Sequence, residues 1–255
     1  MTPPGWVLEA FILFLGTVAC LELGYRLGTR SSETSGLHEG IGGIESAVFG
    51  MLGLLIAFSF GAGLSRLDTR RQMTIQEANN IGTAYLRLDL LAAGDQPEMR
   101  RLFREYVDAR LRVYQKYPDP KGTEQELARV AKMQEGIWSR AVTASRADAT
   151  QNASRLLLPA INEMIDITTS RTVALYTHLP SLIVALLIIV SLLSGLVAGY
   201  SMAKRQRRSW LHMVVYGLVV AITIYTVFDL DDPRSGLIRN EAADHAMVEL
   251  KDSIR

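Results

Sequence analysis

Residues Ser181–Tyr200 read SLIVALLIIVSLLSGLVAGY, a run without a charged residue or a proline. An α-helix rises 1.5 Å per residue, so these residues extend about 30 Å, the thickness of the hydrocarbon core of a bilayer. A buried helix of a soluble protein rarely needs so long an uncharged stretch. The run therefore predicts a membrane-spanning helix, and the rest of the chain can be placed relative to it.

A second apolar run follows this span after a short basic turn. The turn carries Lys204, Arg205, Arg207 and Arg208. The next apolar run begins at Trp210 and ends before Pro233. We therefore expect a transmembrane hairpin over residues 180–232, with spans at about 181–203 and 210–229.

The N-terminal part of the chain predicts another transmembrane hairpin, over residues 1–64. Its spans are expected at about 6–24 and 41–64, joined by a polar loop rich in Ser, Thr and Gly. Four spans place both termini, and everything between the second and third spans, on one side of the membrane.

Two stripes of side chains run along the second span. Small residues recur every four positions at Gly53, Ala57 and Gly61. Such spacing lets helix backbones approach closely in lipid, so these residues are candidates for helix packing. Larger apolar residues occupy an adjoining face at Leu52, Ile56 and Phe60. These are candidates for a hydrophobic constriction in a pore, the alternative being ordinary contact with lipid or another helix.

The helical pattern does not stop where the second span should leave the membrane. After Leu64 it becomes polar, and no proline occurs between Pro4 and Pro97. We expect one continuous helix to about Leu91. Pro97 is then well placed to begin the next helix.

Residues 65–179 predict a helical extramembrane domain. Amphipathic helices are expected at about 98–116 and 123–147, and a last helix at about 148–176, kinked near Pro159, returns to the third span. No strand-like alternation of useful length occurs. The predicted fold class is therefore all-α, with four transmembrane helices and a helical extramembrane bundle inserted between spans two and three.

Residues 233–255 predict a C-terminal amphipathic helix. Its apolar side chains are Ala243, Met247, Leu250 and Ile254. These positions share one helix face, so the tail can dock on the bundle or on a neighbouring subunit.

Polar residues on two helices of the predicted bundle form a candidate network. The outgoing helix contributes Glu77, Asn80 and Arg87, and the returning helix contributes Asn162, Glu163, Asp166 and Arg171. Both sets lie at a similar distance from the same membrane surface, so we expect them to face each other. The arginines can pair with the acids as buried structural ion pairs, or a bound cation can lie between the acids.

The end of the fourth span offers a second candidate site. Asp229 and Asp231 form an Asp-x-Asp sequence, which presents oxygens at a spacing that Ca²⁺ uses. The alternative is a polar span end stopped by Pro233. No cofactor other than this possible Ca²⁺ is expected.

Several function classes lack support in the sequence. The patterns GxxxxGK[ST], GxSxG, HExxH and CxxC are absent, and the four histidines have no ligand spacing. The net charge is +1, and no basic stretch is interleaved with aromatic residues, so nucleic acid is not an expected partner. The single cysteine excludes an internal disulfide. We therefore expect a protein that is not an enzyme.

Three motifs together resemble the bacterial bestrophin-like domain family. They are Arg70-Arg71 with EANNIGTAYLR at 77–87, LPAINEMID at 158–166, and DLDDPRSG at 229–236. The resemblance implies four spans with a helical insert after the second. True bestrophins are pentameric anion channels with a cytoplasmic insert.

The side of the membrane on which the insert lies stays open. The two short loops opposite it carry Arg26, Arg30 and the four basic residues of the turn at 204–208. Short basic loops favour the cytoplasm, which places the insert in the periplasm. The resemblance to bestrophins, together with Arg66, Arg70 and Arg71, favours the opposite orientation.

We expect a multi-pass protein of a bacterial inner membrane that forms a homo-oligomeric ion channel or channel-like pore, with an anion as the permeant ion. The alternative is a membrane-anchored scaffold or sensor whose helical domain binds a partner or a ligand.

Overall fold

The computed structural model describes residues 5–31, 41–117, 119–146, 151–204, 208–232 and 241–254. Its α-helices are α1 Gly5–Ser31, α2 Ile41–Leu86, α3 Gln96–Lys116, α4 Pro120–Ser145, α5 Leu158–Tyr176, α6 Ser181–Lys204, α7 Trp210–Asp231 and α8 Glu241–Ser253. Three stretches that the sequence analysis discusses lie outside the described residues. They are the first polar loop, Arg205 and Arg207 of the basic turn, and residues 233–240, which include the end of the third motif.

The fold is all-helical, as predicted, and no strand occurs in the part of the chain that the structure describes. Four helical stretches are long and apolar enough to cross a membrane, and their apolar parts are α1, the first half of α2, α6 and α7. The prediction of an all-α protein with four candidate spans is confirmed.

The predicted continuity of the second span is also confirmed. Helix α2 runs unbroken from Ile41 to Leu86, and a short 3-10 segment, Arg87–Leu90, extends it. No proline interrupts this stretch, so no backbone hydrogen bond of the helix is lost. Helix α3 then begins at Gln96 with Pro97 in its first turn, where a missing N–H costs nothing.

The returning helix is irregular at the predicted place. A π-helical turn, Ala153–Leu157, directly precedes α5, whose first turn contains Pro159. Proline cannot donate a backbone hydrogen bond and its ring crowds the preceding turn. A wider turn just before it relieves that crowding.

The chain divides into two compact units, the first comprising Met1–Arg66 and His178–Ile238 and the second Leu67–Thr177 and Arg239–Arg255. In the first unit, α1 packs along both α6 and α7. The α1–α6 contact is one of backbone against backbone. A Cβ atom added at Gly24 would clash with the carbonyl oxygen of Leu196, and one added at Gly199 with that of Leu21.

The second unit has its own apolar core, to which α3, α4, α5, α8 and the polar half of α2 contribute. Its fully buried members include Ile81, Leu88, Phe103, Ile137, Ile161 and Met164. The extramembrane position of this unit and the predicted domain boundaries stay predictions.

The C-terminal helix docks on this second unit. Met247 and Ile254 are buried in its core, and Leu250 packs against it. Lys251 Nζ lies 2.8 Å from Asp108 Oδ1 on α3. The tail was predicted to dock either on the bundle or on a neighbouring subunit, and in the structure it docks on the bundle of its own chain.

Candidate functional site

A buried cluster of charged side chains ties three helices of the second unit together. Glu77 of α2 binds Arg110 Nε of α3 through Oε1 and Arg171 Nη1 of α5 through Oε2. The Tyr114 hydroxyl donates to Glu77 Oε2 at 3.0 Å and accepts a hydrogen bond from Arg110. We call these four residues the Glu77 cluster. None of its members is more than 7% exposed.

The cluster holds Glu77 as a carboxylate. Burial alone would raise the pKa of Glu77, but the charges and hydrogen bonds of Arg110 and Arg171 outweigh burial and lower it to about 2. Burial of Tyr114 raises the pKa of its phenol, and the neighbouring Glu77 charge raises it further. The carboxylate is therefore ionised, the phenol is neutral, and the two arginines leave the cluster with one net positive charge.

One donor of the cluster remains unsatisfied. Arg110 Nη1 is buried and has no hydrogen-bond partner among the described residues. The guanidinium nevertheless stays charged: burial alone would lower the pKa of Arg110, but the Glu77 carboxylate, together with Tyr114 and Tyr106, outweighs burial and raises it. A cluster of this kind fixes the packing of α2, α3 and α5, because removal of the Glu77 charge would leave two buried arginines without their partner.

Arg70 joins α2 to α5 at a second point, away from the Glu77 cluster. Its Nε donates to the carbonyl oxygen of Ala174 at 3.0 Å, and its Nη2 donates to that of Thr177 at 2.7 Å. These carbonyls belong to the end of α5, where a helix lacks its own N–H partners. Arg70 and Glu77 are seven residues apart on α2, so one face of α2 both caps α5 and pairs with its Arg171.

The other members of the predicted network make different contacts. Asn80 Nδ2 donates to the backbone oxygen of Glu163 at 3.1 Å, and Arg87 Nη1 donates to the backbone oxygen of Leu156 at 2.7 Å. Asn162 Nδ2 donates to Asp166 Oδ2 at 2.8 Å, and the side chains of Glu163 and Asp166 are exposed. The structure thus brings together the side chains of Glu77 and Arg171 from the predicted set.

Sequence reasoning missed Arg110 and Tyr114. A signal was present, because Arg110 lies three and four residues from Val107 and Tyr106 on the apolar face of α3. A charged residue on the core side of an amphipathic helix needs a partner of opposite charge. The sequence does not say which acid that partner is.

Asp231 organises a second polar site, in the first unit. Its Oδ1 accepts from Arg66 Nε at 2.8 Å, and its Oδ2 accepts from the Leu179 backbone N–H at 2.9 Å. His178 Nδ1 lies 3.4 Å from the same Oδ2. These contacts join the middle of α2 and the end of α7 to the residues just before α6.

The predicted Ca²⁺ site at Asp229 and Asp231 stays a prediction. Both residues are buried, with 2% and 9% of their surface exposed. Among the described residues, no group of three or more His, Cys, Asp or Glu side chains is placed to hold a metal ion. A cation at this position would have to compete with Arg66 for Asp231.

The apolar half of α2 presents its two predicted stripes differently. Leu52 is buried, and Ile56 packs against the cluster of Leu179, Leu187 and Val227. Phe60, by contrast, is 41% exposed.

The small stripe of α2 faces away from its own unit. Gly53, Ala57 and Gly61 are all exposed, and a Cβ atom added at Gly53 or Gly61 would meet nothing within 4 Å. Within the described chain the stripe therefore packs against no other helix. Its role in packing between subunits stays a prediction.

A comparison with protein-family models identifies the family of the chain. The model of the Bestrophin-like domain matches residues 11–241. The chain belongs to the bestrophin-like domain family. No curated protein and no solved structure matches it.

The match extends over the four apolar helices and the Glu77 cluster of this bestrophin-like chain. Together, the family and the four apolar helices identify a multi-pass membrane protein. The suspected resemblance is thereby confirmed. Two of the motifs that carried it also acquire structural roles, since Arg70 and Glu77 hold α5, and Asp231 joins α7 to α2 and to the residues just before α6.

Proposed function

We propose that this bestrophin-like chain forms an oligomeric, channel-like pore in a bacterial inner membrane, with an anion as the permeant ion. The observation that carries the proposal is the free surface of the apolar half of α2. Only Leu52, Ser59 and Gly63 are buried between residues 42 and 64. The α1–α6 pair, in contrast, is packed backbone to backbone. A helix with so much free surface can line a pore that several copies build together.

The pattern on the free face of α2 supports close packing of copies. The exposed small residues Gly53, Ala57 and Gly61 lie between two aromatic side chains around the helix circumference. These are Phe60 at one edge, 41% exposed, and Phe58 towards the other, 69% exposed. When small residues bring neighbouring α2 helices together, Phe60 forms a hydrophobic constriction of the pore.

We also propose that the second unit is the extramembrane bundle inserted between spans two and three. Its residues Leu67–Thr177 follow the apolar half of α2 and precede α6. The six basic residues of the two short loops support a periplasmic location for this unit. The relation to bestrophins supports a cytoplasmic location of the second unit instead. The labelling experiment in the Discussion distinguishes the two locations.

Flux through liposomes tests the pore. The purified protein is reconstituted, and efflux is followed for chloride, nitrate, sodium and potassium. We expect anion flux that rises in Phe60→Ala, because a smaller side chain widens the constriction. Phe58→Ala is the matched control and should leave the flux unchanged. An absence of protein-dependent flux in the wild type and both variants would contradict the proposal.

One observation favours the alternative function, a membrane-anchored scaffold or sensor. The second unit exposes three leucines around the contact between Arg87 and Leu156. They are Leu86, Leu90 and Leu156, with 71%, 36% and 46% of their surface exposed. Exposed apolar side chains that lie together are typical of a partner-binding surface.

A photocrosslinking amino acid at position 86 tests this surface in cells. The scaffold function predicts a discrete adduct with another protein, while the same group at position 136, exposed on α4, gives none. Such an adduct, combined with the absence of liposome flux, would favour the scaffold over the pore.

A further inference from the structure

The first unit contains a cavity of about 440 Å³, lined by residues of α1, α2, α6 and α7. Its walls are mainly apolar and include Leu21, Ala198, Val215 and Val219. Cavities of this size with apolar walls and a few polar groups are typical of sites for small organic ligands.

The polar groups of the cavity come from three helices. Glu45 of α2 accepts a hydrogen bond from Ser201 Oγ of α6 at 2.6 Å through its Oε2. His212 of α7 also lines the cavity, and its Nδ1 lies 2.6 Å from Ser209 Oγ, so Nε2 is the nitrogen available to a ligand. The Tyr216 hydroxyl donates to Ser194 Oγ at 2.7 Å, which fixes its ring in the cavity wall.

Glu45 has no basic partner among the described residues, unlike another acid of the same unit. Glu22 binds Arg26 at 2.8 Å and both of its oxygens bind Arg208 at 2.9 Å. Glu45 has one hydroxyl donor and stands beside apolar walls. A carboxylate between membrane helices is costly unless a cation or several donors compensate it.

We propose that this cavity binds an amphiphile that carries an ammonium group on an apolar body. The ammonium group pairs with the Glu45 carboxylate, and the apolar body lies against Leu21, Val215 and Val219. An anionic ligand would be repelled by Glu45, and an uncharged acyl chain would fill the volume without compensating the carboxylate. The ammonium group can belong to an ethanolamine lipid headgroup or to a free amine.

Octylamine and octanol are suitable probes, because they share an apolar body and differ in the charged group. An aliphatic amine, like the lysine side chain, is protonated at pH 7. The protein is placed in nanodiscs of phosphatidylcholine, and its unfolding temperature is measured against the concentration of each probe. We expect stabilisation by octylamine that octanol does not reproduce.

Three variants locate the binding site. Glu45→Gln keeps the size and the hydrogen bond to Ser201 but removes the charge, so half-maximal stabilisation should need about tenfold more octylamine. Glu9→Gln is the matched control, since it removes an exposed carboxylate of α1 and should leave the response unchanged. Ala198→Leu keeps Glu45 but fills the cavity, so it should also weaken the response.

The outcomes separate the proposal from its competitors. Equal stabilisation by octanol, or an unchanged octylamine response in Glu45→Gln, would overturn the ammonium site. An unchanged response in Ala198→Leu would overturn the cavity as its location. Nanodiscs that contain phosphatidylethanolamine distinguish the two sources. A smaller octylamine response in these nanodiscs would assign the site to the lipid headgroup. An unchanged response would assign it to a free amine. Either result supports the proposal.

Discussion

The guanidinium carbon of Arg171 lies 3.7 Å from the centre of the Tyr114 ring, and its Nη1 binds Glu77. The same side chain thus makes a cation–π contact with α3 and an ion pair with α2. A planar guanidinium can do both at once, whereas the ammonium group of lysine is a point charge. Arg171 therefore fixes the position of α5 on the other two helices of the Glu77 cluster.

The first prediction concerns the stability of this cluster. Glu77→Gln leaves two buried arginines without their carboxylate and should lower the free energy of unfolding by about 3–5 kcal/mol. Glu163→Gln is the matched control, because its side chain is exposed, and it should change stability by no more than about 0.5 kcal/mol. Thermal unfolding in detergent measures both. Equal effects at the two positions would show that the Glu77 cluster does not support the second unit.

The second prediction concerns acid. The pKa of Glu77 is lowered from 4.5 to about 2 in the folded protein, so the folded state binds fewer protons than the unfolded state between these values. The contribution of Glu77 is complete above the unfolded pKa and is lost as the pH falls from about 4.5 towards 2. It amounts to about 3 kcal/mol.

The wild type and Glu77→Gln, unfolded across this pH range, check the second prediction. The difference in their stability should shrink as the pH falls, because the glutamine variant cannot titrate at this position. A difference that stays constant from about pH 5 to pH 2 would be incompatible with an ionised, buried Glu77.

The third prediction concerns the backbone contact between α1 and α6. Gly199→Ala should destabilise the first unit strongly, because the new Cβ would meet the carbonyl oxygen of Leu21 and force the helices apart. Gly136→Ala is the matched control on α4, where a Cβ would meet nothing within 4 Å. Alanine there should be neutral or stabilise by up to about 1 kcal/mol. Unfolding temperature and yield of folded protein provide the readout, and similar values for the two variants would refute the contact.

The fourth prediction concerns membrane orientation. On a Cys20→Ala background, a periplasmic second unit predicts that Asp119→Cys reacts with an impermeant thiol reagent in intact cells. Ser209→Cys, beside the basic turn, should react only after the membrane is permeabilised. The reverse pattern would establish the orientation of true bestrophins and reject the argument from the short basic loops.

Much of the fold could be predicted because it depends on local signals. Long uncharged runs indicated the four apolar helices, and the absence of proline indicated the continuous α2. Pro97 and Pro159 marked the start of α3 and the irregular turn before α5. Each of these features follows from the chemistry of neighbouring residues in the chain.

The partners of each helix could not be predicted in the same way. Spacing of four residues drew attention to Gly53, Ala57 and Gly61, yet Gly24 with Gly28 and Gly195 with Gly199 show the same spacing. The structure places close helix contacts at the glycines of α1 and α6 and none at Gly53 or Gly61. Spacing indicates that a helix face is smooth, but it does not indicate which other helix the face meets. For the same reason Glu77 and Arg171 could be proposed as partners, while Arg110 on α3 was missed.

The glycine contact between α1 and α6 has a consequence for biosynthesis. Helix α1 is translated and inserted into the bilayer while α6 is still unmade, because α2 to α5 lie between them in the chain. During that interval the groove at Gly24 and Gly28 lacks the α6 backbone that fills it in the folded protein. The first and third spans must then find each other by lateral movement after the ribosome has delivered α6. The first unit can therefore be completed only after α3, α4 and α5, which lie between its two chain segments, have been synthesised.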